Sequence, residues 1–456
     1  LVLIDGVEGN PALLNPNDIE TVSVLKDAAS ASIYGARAAF GVVLITTKKP
    51  AKNKVQVTYN SNYALKTPTT VPEFVTDSYQ WATLFNEAFS SWNNYASTPQ
   101  NVNKTMRFSQ AYLEELKRRS EDPSLPKVEV DPVTGEYVYY DNHNWMDDLY
   151  KKTTFSNDQN LSVTGGSDKV SFFLSGRYMN QPGLFKYNSD DYKTYSFRAR
   201  GTVQVTPWLS IDNNLNFSNV LYHTPLNVGE GGGIWRNIVA EGHPMAPMFN
   251  PDGTLTHSAA YTVGDYWYGK NGMDYDRNVF RNTTSIATNF LDNTLRIKGD
   301  FTYQSSNNNE KRIRVPVPFS RSPNVVDYVG LAYNDIRQLY RNTEYLASNI
   351  YGEYENTINN QHHFKVLGGF NYELSSYKRL GAERNGLIYE DATDMNLALG
   401  DAIAATGGYE QWNIMGSFFR LNYDFKNRYL LEVNGRYDGS SKFPSNERFA
   451  FFPSIS

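Results

Sequence analysis

Cysteine is absent from the 456 residues, and so is any apolar run near the roughly 20 residues that a membrane-spanning helix needs. The lack of cysteine excludes a disulfide scaffold, a thiolate metal site and a cysteine nucleophile. The short apolar runs exclude a helical membrane protein but leave a membrane β-barrel open, because barrel strands alternate between apolar and polar residues. Basic residues are not in excess either, with 43 Lys and Arg against 48 Asp and Glu, which argues against a nucleic-acid-binding protein.

Catalytic patterns are equally scarce. The sequence has six histidines, and none of them has the spacing of a zinc site. The carboxylate pairs Asp147-Asp148 and Asp190-Asp191 are adjacent in sequence, so on a strand their side chains point in opposite directions and make poor acid–base pairs. We therefore expect a protein that is not an enzyme and that carries no cofactor and no metal.

Aromatic residues, by contrast, are abundant. Tyr 33, Phe 25 and Trp 7 together make 14% of the chain. A transmembrane barrel uses such residues in girdles at both membrane interfaces. A carbohydrate-binding or peptide-binding surface uses them as flat apolar contacts. Composition alone does not separate these two uses.

Alternating polarity dominates the sequence after residue 53. In the first such segment Val55, Val57 and Tyr59 share one face, and Gln56, Thr58 and Asn60 share the other. The segment has about the length of the 9–11 residues that a tilted barrel strand needs. We count about eleven segments of this kind, among them 195–205, 209–217, 295–304, 364–374, 419–425 and 429–437.

The connections between these segments alternate strictly between short and long. Short turns are expected at 165–168, 206–208, 292–293, 359–361 and 426–428, and long loops at 66–154, 181–193, 220–277, 305–337, 376–410 and 438–450. Outer-membrane barrels have this asymmetry, with tight periplasmic turns and large outer loops. A soluble propeller or sandwich would show a more even distribution of loop lengths.

The first long loop is expected to contain helices. Trp81, Leu84, Phe85, Ala88 and Phe89 fall on one face of a helix, which Thr76 or Asp77 would cap. A second helix is expected over 107–119. We interpret this region as a packed loop subdomain rather than as a helix that docks a partner.

The first fifty residues form a different kind of unit. Strands are expected over Leu1–Ile4, over Ile19–Leu25, buried on both faces, and over Gly41–Thr47. Between the last two, Asp27 is placed to cap a short helix over Ala28–Tyr34, with Gly35 as the residue that follows it. The order strand, helix, strand predicts a small, tightly packed α/β unit.

Five ordered motifs in this unit carry a family resemblance. They are LIDG at 3–6, NDIE at 17–20, VLKDAAS at 24–30, IYGAR at 33–37 and GVVLITTKK at 41–49. Together they resemble the plug of TonB-dependent outer-membrane transporters, and the residues of the motifs are most similar to those of the SusC/RagA branch. Later segments extend the resemblance: 160–166 is similar to an early strand of that branch, and 436–441 with 451–454 to its mid-barrel signature.

The resemblance implies an all-β transmembrane β-barrel, 22-stranded and antiparallel when complete, with a small α/β plug in its lumen. Residues 1–50 would then be the C-terminal part of the plug, and residues 51–456 the first half of the barrel, so we expect an internal piece of a longer protein. The resemblance also implies a cell outer membrane of a Gram-negative bacterium, a SusD-like surface lipoprotein as a lid, and a TonB complex that contacts a segment outside this chain.

Transport is the function that the resemblance implies: active import of oligosaccharides, with oligopeptides as the alternative cargo. Aromatic residues crowd one long loop and offer flat faces beside amide groups, which suits sugar rings or peptide side chains. The candidate substrate-binding residues are Trp235, Tyr261, Tyr266, Trp267, Tyr268 and Asn271. A passive porin and a glycan-binding surface protein remain rivals. A plug argues against the first, and a need for detergent would argue against the second.

Overall fold

A computed structural model describes residues 1–26, 41–102, 106–229 and 233–456. The helix expected over residues 28–34, with Asp27 and Gly35 at its ends, lies outside these ranges. The described N-terminal residues form a small four-stranded sheet in the order β2-β1-β4-β3, in which β1 and β4 run parallel. Its strands are β1 (Val2–Ile4), β2 (Val7–Glu8), β3 (Ile19–Leu25) and β4 (Val42–Thr47).

One expectation for the small sheet is wrong. The sequence predicted that β3 is buried on both faces, but Val22 is 56% and Val24 is 53% exposed within the described part of the chain. The reason is topological, because β3 lies at the edge of the sheet and pairs only with β4. A small apolar cluster in this unit is instead centred on Leu3 and Val42, which belong to the central strands β1 and β4.

A large antiparallel sheet accounts for most of the remaining chain. In the described residues it has twelve strands, and each pairs with the sheet strand that precedes it in sequence. Its strands are β5 (Asn53–Lys66), β10 (Thr154–Gly166), β11 (Val170–Pro182), β12 (Asp191–Thr206), β13 (Leu209–Pro225), β14 (Gly272–Phe290), β15 (Leu295–Arg314), β18 (Asp335–Ile358), β19 (His362–Asn385), β20 (Ile403–Phe425), β21 (Tyr429–Ser440) and β22 (Phe449–Ile455). Short ribbons in the loops supply β6 (Asn101–Val102), β7 (Met106–Arg107), β8 (Val128–Val130), β9 (Tyr137–Tyr139), β16 (Val317–Ser322) and β17 (Val325–Val329).

The two faces of the large sheet differ in chemistry. One face, which we call the inner face, contacts the small sheet and carries polar residues such as Arg198, Asn214 and Arg281. The opposite, outer face carries exposed apolar side chains, among them Tyr59, Val57, Phe197, Phe301 and Ile350. An apolar outer face around a polar interior is the pattern of a transmembrane barrel wall.

Short and long connections alternate as the sequence predicts, but several strands are longer than expected. The sequence placed a loop over 305–337, whereas β15 continues to Arg314 and β18 begins at Asp335. The same holds for β19 and β20, which extend into the expected loop over 376–410. In the β15 extension the outer face is also polar, at Asn307, Asn309 and Lys311, so the alternation that marks a strand is lost although the backbones still pair.

The long connections pack into one unit with its own apolar core. Within the described ranges it contains six helices: α1 (Ser78–Trp92), α2 (Gln110–Glu121), α3 (Trp145–Leu149), α4 (Ile234–Glu241), α5 (His257–Tyr261) and α6 (Val263–Tyr268). Side chains from the loops after β5, β13 and β15 meet in this core. The two expected helices of the first loop are confirmed, and Asp77 caps α1 by accepting a 2.6 Å hydrogen bond from the Gln80 backbone. No helix in the described residues is long and apolar enough to cross a membrane.

Candidate functional site

The small sheet is held against the inner face by buried polar contacts. Arg198 on β12 is 1% exposed, and its guanidinium group donates to the backbone carbonyl of Lys48 at 2.9 Å and to the hydroxyl of Thr47. Its Nε donates to Asn214 Oδ1 on β13 at 3.0 Å. One cation thus ties the end of β4 to two neighbouring strands of the large sheet.

Asp5 forms the second contact, from the turn after β1. Its carboxylate accepts from the Thr47 backbone N–H at 2.9 Å and from the Thr47 hydroxyl at 2.6 Å. It also accepts from Asn214 Nδ2 at 3.0 Å. Asp5 and Arg198 therefore share Thr47 and Asn214, and the four side chains form one network across the interface.

A third contact begins in the turn before β3. Asn15 caps the short 3-10 turn Pro16–Asp18, and its Nδ2 donates to Asn160 Oδ1 on β10 at 2.7 Å. Asp18 Oδ2 accepts from the Ser175 hydroxyl on β11 at 2.8 Å. Burial raises the pKa of Asp18, while the hydrogen bond from Ser175 and the charge of Arg198 lower it. The turn is thereby attached to two further strands.

The fourth contact involves Arg281 on β14, which donates to the backbone carbonyl of Glu8 and, at 2.8 Å, to Gln304 Oε1. The approach is close, because a Cβ added at Gly9 would lie 3.0 Å from the guanidinium nitrogens of Arg281. Glycine at this position lets the chain after β2 reach the wall.

These contacts are distributed unevenly around the small sheet. The direct hydrogen bonds described above reach β10, β11, β12, β13 and β14. On the other side, a cavity of about 420 Å³ separates the segment 1–8 from the inner faces of β15 and β18–β21. Charged side chains line this cavity, including Lys298, Asp300, Glu353 and Arg420, and Val7 packs on Tyr345 and Ala347 of β18. The small sheet is thus bonded to one side of the wall and borders a polar space on the other.

The six residues predicted to bind substrate fall into three groups. Trp235 on α4 and Trp267 on α6 are exposed, Tyr261 and Tyr268 are partly buried, and Tyr266 and Asn271 are buried. The amide of Asn271 is used inside the loop unit, since Nδ2 donates to Asp265 Oδ1 at 2.7 Å and Oδ1 accepts from the Val315 backbone at 2.6 Å. Only the exposed members present open aromatic faces, and the binding role of the set stays a prediction.

Each exposed tryptophan has an aromatic neighbour. The ring centroids of Trp235 and Tyr150 are 5.8 Å apart, and those of Trp267 and Phe249 are 5.0 Å apart. These contacts hold the indole rings in place while leaving part of each face open. Among the described residues, no cluster of His, Asp or Glu side chains is arranged to hold a metal ion.

The comparisons with known proteins agree with one another. The family model described as TonB-dependent Receptor Plug Domain matches residues 1–42. The TonB-dependent receptor P26 of Formosa agariphila is 28% identical, over 99% of this chain and 41% of its own length. The TonB-dependent receptor SusC of Bacteroides thetaiotaomicron is 24% identical, also over 99% of this chain and 41% of its own length. The chain therefore spans about 41% of these curated relatives.

A solved structure gives the same fold. The RagAB peptide transporter aligns with a TM-score of 0.75 and 23% identity, over 100% of this chain and 50% of that chain. The resemblance to the SusC/RagA branch and the fold class predicted from the sequence are confirmed, and the small sheet lies within a plug domain on the wall of a β-barrel. These relatives are described as receptors and transporters, not as enzymes.

The interface network predicts a specific effect of Arg198→Gln. The shorter neutral side chain leaves the Lys48 carbonyl and the Thr47 hydroxyl without their donor, at a cost of about 1–3 kcal/mol in local stability. We expect faster hydrogen exchange in the segment 42–48, measured by mass spectrometry. Arg296→Gln is the control, because its half-exposed ion pair with Glu353 contributes little. Equal exchange in the two variants would contradict the role of Arg198.

The loop unit is predicted to lose stability as the pH rises. Burial raises the pKa of Asp265 to about 7 from 3.8, although its bonds to Asn271 and Val228 favour the charged form. Below about pH 4 the Asp265 carboxyl is neutral in both the folded and the unfolded state, and the loop unit has its full stability. Between about pH 4 and 7 only the unfolded state ionises, so the loop unit loses stability progressively as the pH rises. We expect a higher unfolding temperature at pH 5 than at pH 8, followed by tryptophan fluorescence. Asp265→Asn should flatten the dependence, and Asp391→Asn, at an exposed loop position, should leave it unchanged.

Proposed function

We propose that the complete protein, of which this SusC/RagA-like TonB-dependent transporter chain is a part, actively imports oligosaccharides across the outer membrane of a Gram-negative bacterium. The observation that carries the proposal is the buried network of Arg198, Thr47, Asp5 and Asn214. It fixes a plug to the inner face of a barrel wall, and a barrel of this class has a lumen wide enough to need one. A passive porin has no use for such a plug.

The domain division follows from the same network. We assign residues 1–50 to the C-terminal part of the plug and residues 51–456 to the first half of the barrel. In support, β4 ends at Thr47 and β5 begins the large sheet at Asn53. The apolar outer face would contact outer-membrane lipid, and the polar strand extensions would rise above it with the loop unit.

Two protein partners complete the proposal. A TonB complex would supply the energy for plug movement, through a segment outside this chain. A SusD-like surface lipoprotein would cover the barrel on the side of the long loops, where the structure presents a packed unit rather than loose segments. The similarity to SusC and to the RagAB structure supports both assignments.

The cargo is proposed to be an oligosaccharide, because Trp235 and Trp267 present open indole faces on the loop unit. Aromatic faces stack on sugar rings and exclude water from them. An oligopeptide is the second candidate, and the observation in its favour is the similarity to a structure described as a peptide transporter.

Native mass spectrometry of the full-length protein, extracted from its own outer membrane in mild detergent, tests this function. We expect a co-purifying lipoprotein and a bound mass spaced by sugar units. A ladder of amino-acid masses would move the cargo to peptides. If no lipoprotein co-purifies, no ligand is bound and the purified protein shows a persistently open conductance, the proposal is contradicted and a porin is favoured.

The aromatic residues give a second test. Trp267→Ala and Trp235→Ala are each expected to weaken oligosaccharide binding about tenfold, through loss of stacking and buried area. Trp208→Ala is a matched control, because Trp208 is 46% exposed against 45% for Trp267 but lies at a short turn on the opposite end of the sheet. Calorimetric titration with the oligosaccharide identified by mass spectrometry measures the effect. Equal affinities in the three variants would remove the loop tryptophans from the binding site.

A further inference from the structure

Four neighbouring strands place three arginines in one line across the inner face. Arg277 on β14 pairs with Asn308 on β15, Asn308 pairs with Arg341 on β18, and Arg341 pairs with Arg379 on β19. We call Arg277, Asn308, Arg341 and Arg379 the arginine row. Adjacent strands are about 5 Å apart, so Arg341 and Arg379 are immediate neighbours and Arg277 lies about 10 Å from Arg341.

The row lies on the lumen side, between the plug and the outer loops. Alternate residues of a strand face the same way, so Arg277 shares the orientation of Arg281, which contacts the plug. Four residues separate the two, or about 13 Å along the strand. A substrate that travels from the loop unit to the plug would pass this level of the wall.

The charges in the row are poorly compensated. Arg341 and Arg379 are directly opposite like charges, an arrangement that destabilises a sheet. The nearby acid Glu310 is shared, since it accepts from Arg341 at 3.3 and 3.4 Å and also from Arg337. Within the described ranges, Arg277 and Arg379 form no hydrogen bond or ion pair, although Glu410 lies on the same face of the neighbouring β20.

A nearby cluster of arginines in the same wall is paired with more carboxylates. Arg312 and Arg337 are also opposite each other, higher on the same strands. Here Arg312 donates to Asp335 at 3.0 Å and to Glu383 at 2.7 Å, and Arg314 donates to Asp335 at 2.7 Å. Carboxylates are thus available in the sequence of these strands but are not placed in the arginine row.

We propose that the arginine row binds the negative groups of the transported oligomer, so that the cargo of this transporter is anionic and carries carboxylate or sulfate groups. This inference rests on the import function proposed above and specifies its substrate. Guanidinium groups suit the role, because each presents a planar pair of donors that matches a carboxylate or sulfate oxygen pair. Uronic-acid or sulfated sugars and acidic peptides share this chemistry.

The test uses the full-length protein in mild detergent and probes that are matched in length but differ in charge. The acidic probes are tetragalacturonate, a chondroitin sulfate tetrasaccharide and tetraglutamate, and the neutral probes are cellotetraose and tetraalanine. We expect calorimetry to show at least one acidic probe binding about tenfold or more tightly than its neutral counterpart, with an affinity that falls as salt is raised. Binding of a sugar or of the peptide then decides between the two cargo classes.

Paired variants assign the effect to the row. Arg341→Gln with Arg379→Gln is expected to reduce acidic-probe affinity about tenfold or more. Lys311→Gln with Lys378→Gln removes the same charge from the outer face of β15 and β19 and should leave affinity unchanged. Far-UV circular dichroism checks that each variant is folded, and the salt dependence of the unmodified protein needs no variant at all.

Several outcomes would overturn the inference. Neutral probes that bind as tightly as acidic ones, equal losses in the two double variants, or no binding of any acidic probe each contradict an anion-binding row. If neutral oligomers bind and the lipoprotein still co-purifies, the row loses its role while the import function stands. If native mass spectrometry finds neither partner nor ligand, the import function itself falls.

Discussion

The contact between a buried cation and the end of a plug strand governs the organisation of this molecule. Arg198 on β12 is nearly inaccessible to water. Its bonds to Thr47 and Lys48 fix the plug on β12, and its bond to Asn214 extends the contact to β13. Burying a charge is costly unless it is hydrogen-bonded, so the bonds of Arg198 to Thr47, Lys48 and Asn214 favour one register between the plug and the wall. On the other side of the small sheet, a cavity lined by charged side chains separates residues 1–8 from β15 and β18–β21.

The division of the large sheet into an apolar outer face and a polar inner face gives each level of the wall its role. Low on the strands, exposed residues such as Phe197 and Ile350 suit lipid contact. Higher up, β15 is polar on both faces, as at Asn307 and Asn308, and the strands lead into the loop unit. The arginine row lies on the inner face between the plug and those loops, where backbone pairing fixes the spacing of its charges. Under the proposed function, the long strands would serve both as a membrane wall and as a scaffold for the arginine row.

Local patterns in the sequence predicted much of this architecture, because they depend on neighbouring residues. The cap Asp77, the helix around Trp81 and the alternation of Tyr59 with Asn60 needed no tertiary information. The strand ends near Arg314 and Asp335 were missed, since strands that are polar on both faces show no alternation. The plug contacts and the arginine row were missed because their members lie far apart in sequence, as Asp5 and Asn214 do, and are brought together only by strand register. Asn271 was singled out for its neighbours in sequence, whereas its amide bonds lie inside the loop unit.

Cross-linking the plug to the wall tests the central claim most directly. The 456 residues contain no cysteine, so Asp18→Cys with Ser175→Cys introduces two thiols into this part of the protein, at side chains that touch across the interface. A short bifunctional thiol reagent would join them, and a monofunctional reagent of the same chemistry is the control. If import needs release of the plug, uptake by cells that carry the full-length protein stops after cross-linking and continues after the control reaction. Uptake at an undiminished rate through the cross-linked protein would contradict the account.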